Sequence, residues 1–252
     1  MSERLVVVHP DAAVLVEATA ARLLTRLLDL QSQRRPVHVV LTGGTVGIAT
    51  LAAVAHDLVR TAVDWSGVHL WWGDERFLPS GDGDRNETQA RDALLRSLGS
   101  ALPDVNVHPV PALGGDVRTP ERAAELYAAE LARFAAPGAT SPAFDVLMLG
   151  MGPDGHVASL FPGHEALAVE GVAATGVHGS PKLPAERVSL TFDAIRGARE
   201  VWVVAAGPEK AQAVASALSG APVDQTPAAG ASGSERTLWL LDAAAAGTEP
   251  DA

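Results

Sequence analysis

Seven short apolar runs, at residues 5–8, 38–41, 68–72, 145–149, 187–191, 201–205 and 238–241, recur along this chain of 252 residues. Most of them do not alternate between apolar and polar positions. A strand with one wet face has to alternate, because successive side chains point to opposite faces, whereas a strand covered on both faces does not. Between the runs lie amphipathic stretches at 12–30, 87–98, 119–134 and 208–218, with apolar residues at helical spacing. The third opens Thr119-Pro120-Glu121: a hydroxyl to cap, a proline already set for the first turn, and an acid at the positive end of the helix. Strand, helix, strand repeated in this way predicts an α/β fold, a doubly wound, mostly parallel sheet with helices on both faces.

Much of the apolar content is alanine, around 123–136 and 211–217. Alanine favours helices but fills little volume, so the bulk of the core falls to the Val, Leu and Trp of the sheet. Segments 79–85, 114–118 and 137–142 are rich in Gly, Pro or Asp and read as surface loops. The expectation is a single domain over residues 1–242, with 243–252 a fraying, disordered tail.

The chain has no cysteine, which excludes a disulfide framework, a thiolate zinc site and a cysteine nucleophile. Its 30 acidic against 19 basic side chains give a formal net charge of −11, a field that repels nucleic-acid backbones and anionic lipid. The apolar run at 5–8 is stopped by His9-Pro10 and is too short for a secretory core. No stretch approaches the roughly 20 apolar residues that span a bilayer. A cytoplasmic protein without nucleic-acid or membrane partners is expected.

In open α/β sheets ligands bind beyond the carboxyl ends of the strands, and three loops there are unusual. The first, Thr42-Gly43-Gly44-Thr45-Val46-Gly47, precedes a helix expected to start near Ile48. Its glycines and exposed amides suit an anion, and Thr45 adds a hydroxyl; an ordinary glycine turn is the other reading. It is neither a Walker loop nor a GxGxxG fingerprint. The second is Gly73-Asp74-Glu75-Arg76, with Asn86 further on. Asp74 can orient a base and Arg76 can fork onto a phosphate, while Glu75 reads better as a solvated charge capping the next helix.

The third loop, Gly150-Met151-Gly152-Pro153-Asp154-Gly155-His156, is the most informative. Three glycines in six residues set a tight path that delivers Asp154 and His156 to the sheet edge. Histidine titrates nearest neutrality and suits a general base, and Asp154 can fix its tautomer. The other seven histidines show no metal-site spacing: His38 and His69 read as packed or edge residues, and no bound metal is expected. Arg187, opening its strand, and Lys210 can complete an anion site. A lysine in a first helical turn opposes the helix dipole unless an anion offsets it, so Lys210 is either an anion ligand or a solvated surface residue.

With these loops assembled, the chain resembles the 6-phosphogluconolactonase family over nearly its whole length. The resemblance rests on Thr42-Gly43-Gly44-Thr45, on Gly73-Asp74-Glu75-Arg76 with Asn86, on the run from Leu149 through Gly152-Pro153-Asp154-Gly155-His156 to Ala158-Ser159-Leu160-Phe161-Pro162-Gly163, on Arg187-Val188-Ser189-Leu190-Thr191, and on Gly207-Pro208-Glu209-Lys210. Glucosamine-6-phosphate deaminases share the fold but usually follow their Asp-Gly-His with a different run. Two departures stand out: Val46 and Gly47 replace the usual Thr and Pro of the glycine loop, and Asp82 and Arg85-Asn86 stand where many members carry a His and a Ser-Asn pair.

The resemblance implies a carboxylic ester hydrolase that converts 6-phospho-D-glucono-1,5-lactone to 6-phosphogluconate, the second step of the oxidative pentose phosphate pathway. By analogy His156 activates water and Asp74 helps orient the site, while Gly43, Gly44, Thr45, Arg76, Asp154, Arg187 and Lys210 bind or frame the substrate. No metal or cofactor is implied, and a monomer or weak dimer is expected. The alternatives are a glucosamine-6-phosphate deaminase or isomerase on the same scaffold and a non-catalytic sugar-phosphate sensor.

Overall fold

The computed structural model describes residues 3–248. Six strands, β1 (Glu3–His9), β2 (Val37–Leu41), β3 (Val68–Trp72), β5 (Val146–Gly150), β8 (Glu200–Ala205) and β9 (Arg236–Asp242), form one sheet in the order β1-β9-β8-β5-β2-β3. Every pairing in it is parallel. β2 and β8 are buried at every residue, which is why their sequences run apolar without alternating.

Three shorter strands, β4 (Asp74–Arg76), β6 (Ala174–Val177) and β7 (Arg187–Leu190), form a separate antiparallel sheet in the order β4-β7-β6. The run at 187–191 was expected in the main sheet; it belongs instead to this small one. Gly73 joins the two, donating its N–H to Leu41 of β2 and accepting from Leu190 of β7. One hydrophobic cluster runs through both sheets, from Val40 and Leu147 to Val188 and Leu190.

The helices are α1 (Ala12–Gln31), α2 (Gly44–His56), α3 (Asn86–Ala90), α4 (Arg96–Leu98), α5 (Pro120–Ala132), α6 (Phe192–Arg196), α7 (Ala211–Leu218) and α8 (Ala243–Ala246). Right-handed crossovers put α1 and α2 on one face, because both of their connections advance toward the β3 edge; α3 and residues 91–95 after β3 also pack against α2, and the chain then returns with α5 on the other face. The packing of α1 on α2, and of α5 on β6 and β7, agrees with this. Thr119 caps α5 through the N–H of Arg122, as its sequence predicts.

Three helical boundaries differ from expectation. The stretch expected at 87–98 is α3, a π turn at Arg91–Leu95, and α4. α2 begins at Gly44, ahead of the expected Ile48, so Thr45 and Val46 lie in its first turn. The tail expected from residue 243 starts as α8, because the buried Asp242 caps it by accepting from the N–H of Ala245 at 2.7 Å. Residues 249–252 of that tail lie outside the described residues.

Candidate active site

β2 and β5 are neighbours, but the helix after β2 covers one face and the connection after β5 the other, which opens a crevice at their carboxyl ends. A cavity of about 400 Å³ occupies that position. Thr42 ties its two floors together: its Oγ1 accepts the N–H of Gly150 across the strands at 3.0 Å. All three loops singled out by sequence line it, as do Arg187 and Lys210.

The loop after β5 is built around its glycines. Gly152 donates to the His156 carbonyl and accepts from Gly155, closing a tight turn. A Cβ on Gly152 would lie 2.1 Å from His156 Nδ1 and 2.4 Å from Asp154 Oδ1, so only glycine leaves room for that pair. Gly155 takes a φ of +81°, a region glycine enters freely. The result places His156 Nδ1 at 2.5 Å from Asp154 Oδ1. Burial opposes charge on Asp154, but the hydrogen bonds and charge of His156, helped by Lys182, hold its carboxyl down at about 2. Asp154 is therefore an ionised acceptor and Nδ1 carries the proton, which makes Nε2 the basic atom of the neutral ring. His156 lines the cavity, packed on Phe161 with ring centroids 4.5 Å apart, whereas Asp154 stands behind it and does not.

The small sheet delivers the opposite wall. Its register pairs Asp74 with Ser189 and Arg76 with Arg187. Two arginines directly across from each other repel unless negative charge sits between them. Asp74 supplies part of it, with Oδ2 at 3.8 Å from Arg187 Nη1. The same oxygen accepts from Ser159 Oγ at 2.7 Å. Arg187 also holds the loop above the site, donating to the carbonyls of Lys182, Leu183 and Pro184. Burial pushes its pKa down, and so does Arg76, while Asp74 pulls it up. Arg76 donates to the Asp84 carbonyl, and its buried Nε finds no acceptor among the described residues.

Glu75 departs from its expected role. It does cap the next helix, accepting from the N–H groups of Asn86 at 2.7 Å and Glu87 at 2.9 Å, but it is fully buried rather than solvated. Burial drives its pKa up to about 7, against the pull of Arg85 and of three backbone N–H groups. Glu75 thus anchors the β4–α3 connection.

α2 starts at the cavity with no side-chain cap and no acid in its first turn, so the amides around Gly44 and Thr45 present an uncompensated positive end. Lys210 closes a 3₁₀ turn, Pro208–Lys210, just before α7. Burial lowers its pKa, Glu209 and Asp242 oppose that, and Lys182 adds to it. Lys182 also lines the cavity, and no sequence motif marks it; its place depends on Arg187 gathering the carbonyls of its loop, a tertiary contact. Asn86, noted in sequence only as part of a motif, is a second cavity residue.

The chain matches the family of glucosamine-6-phosphate isomerases and 6-phosphogluconolactonase over residues 10–239. It belongs to that family. Among its relatives, the 6-phosphogluconolactonase of Streptomyces coelicolor is 55% identical over 250 residues, covering 97% of this chain and 94% of that protein. The 6-phosphogluconolactonase of Mycobacterium leprae is 46% identical over 244 residues, covering 96% and 97%. The solved 6-phosphogluconolactonase of Trypanosoma brucei superposes with a TM-score of 0.83 at 28% identity, covering 98% of this chain and 99% of that one. The fold expected from sequence is thus the family's fold. Among the described residues, no helix is long and apolar enough to cross a membrane.

Proposed function

We propose that this family member is a 6-phosphogluconolactonase, hydrolysing 6-phospho-D-glucono-1,5-lactone to 6-phosphogluconate with His156 as general base. The observation that carries the mechanism is the Asp154–His156 pair: an ionised carboxylate on Nδ1 leaves Nε2 as the basic atom of a cavity ringed by cations.

Nε2 takes a proton from water as its oxygen bonds to the lactone carbonyl carbon. Negative charge develops on the carbonyl oxygen, where the cations stabilise it. The ring C–O bond then breaks, and the imidazolium returns its proton to the departing ring oxygen. The new carboxylic acid ionises, giving the open-chain acid. Arg76, Lys182, Arg187 and Lys210, with the α2 amides at Gly43, Gly44 and Thr45, bind the phosphate and substrate oxygens; Asp74 and Ser159 hold Arg187 and the wall beside it. The ester is already reactive, so a positioned base, water and cationic pocket suffice.

The same protein is one α/β domain that includes α8, in the cytoplasm, acting on a small free substrate without nucleic acid, as a monomer or weak dimer. The test is the disappearance of freshly generated lactone against its spontaneous hydrolysis. Acceleration with no ammonia release from glucosamine 6-phosphate is expected; ammonia release without lactone turnover would overturn the reading.

A further inference from the structure

Asn86 opens α3 with 1% of its surface exposed, yet it lines the cavity. One side of its carboxamide is fixed. Nδ2 donates to the Asp74 carbonyl at 2.9 Å and lies 3.4 Å from Asp74 Oδ1. Turning the amide over would set an oxygen against these two oxygens, so its orientation follows from the hydrogen bonding. The other atom, Oδ1, is buried and finds no donor among the described residues. It points at Gly43 in the cavity wall, where a Cβ would come within 1.9 Å of it. Both the glycine and the free acceptor therefore belong to the shape of the site. A buried acceptor left unsatisfied is costly, and a native fold keeps one where a ligand supplies the donor.

The cavity separates two chemistries. Arg76, Lys182, Arg187, Lys210 and the α2 amides only donate, which suits phosphate and carbonyl oxygens. Asn86 Oδ1, beside Asp74, only accepts. It repels a phosphate dianion and calls for an O–H, and on the lactone the O–H donors are the ring hydroxyls at C2, C3 and C4. Resting on the lactonase reading, we infer that Asn86 Oδ1 accepts a hydrogen bond from one ring hydroxyl of the substrate. Asn86 is then a specificity-determining residue that orients the ring with its phosphate turned toward the cations.

The experiment compares kcat/KM for the natural lactone with that for its 2-, 3- and 4-deoxy analogues, each generated in situ from the matching deoxy-glucose 6-phosphate. The wild-type protein is expected to disfavour one analogue by about 10- to 100-fold. Asn86→Ala loses a similar factor on the natural lactone and no longer distinguishes that analogue from it. A loss equal on all four lactones, which a water-positioning or purely structural residue produces, would overturn the inference, and so would wild-type discrimination retained in the variant. Should the alanine variant fail to fold, Asn86→Ser is read in the same way, and a wild-type protein indifferent to all three hydroxyls contradicts the inference by itself. If the wild-type protein accelerates none of the lactones, it is the lactonase reading that falls.

Discussion

Histidines sit at both ends of the main sheet, and the two ends treat them differently. At the carboxyl end His156 pairs with an ionised carboxylate and lines a cavity. At the amino ends of β2 and β3, His38 and His69 join His108 in a packed group with Trp71 and Phe134. Trp71 Nε1 donates to His38 Nδ1 at 3.1 Å, His69 Nδ1 meets His108 Nε2 at 2.9 Å, and His108 Nδ1 meets Glu130 at 3.0 Å. Since Glu130 only accepts, His108 donates to it and accepts from His69. Burial, reinforced by His69 and His108 against the pull of Asp145, drives His38 down to about 4. Burial also lowers His69 and His108, the latter despite Glu130. Packing thus keeps these three neutral and structural. Of these four, only His156, with its charged partner and its place in the cavity wall, is equipped to exchange protons with a substrate.

That contrast gives separable effects. His156→Ala should lower kcat roughly 10³-fold in a lactone-hydrolysis assay, with the melting temperature little changed. Gly152→Ala, whose Cβ overlaps both His156 and Asp154, should cost on the order of 10²-fold in the same assay by misplacing the base. Asp154→Asn removes the charge that fixes the Nδ1–H tautomer, and a loss of roughly 10- to 100-fold in kcat is expected.

At the other end, His38→Gln should leave kcat within about twofold and change acid stability instead. A histidine whose folded pKa is lowered takes up its proton more readily when unfolded, so wild-type stability falls as pH drops from 6.5 toward 4. Denaturant titrations should show the variant gaining on the wild type by up to about 3 kcal/mol across that window. Equal pH dependence in the two proteins would show that His38 is not held neutral by packing. Thr45→Val should have the smallest effect, a few-fold rise in KM from one lost hydroxyl donor.

The parallel sheet and the three strand-end loops were legible because burial on both faces writes itself as unbroken apolar runs, and glycine clusters mark where a chain must turn tightly. The small sheet was hidden for the same reason in reverse. β4 is Asp74-Glu75-Arg76 and β6 is Ala-Thr-Gly-Val, too short and too polar to read as strands. Their pairing is what sets Arg76 against Arg187, a juxtaposition no linear spacing reveals. Lys182 and the buried Glu75–Arg85 anchor were missed likewise, since each depends on partners fixed by the tertiary fold.

The central claim is that Asp154 acts through His156, and a double-mutant cycle on kcat for the lactone tests it most directly. The account predicts that Asp154→Asn costs activity in the wild-type background and almost nothing more once His156→Ala is present. Losses that multiply independently, or a His156→Ala variant that hydrolyses the lactone at the wild-type rate, would contradict it.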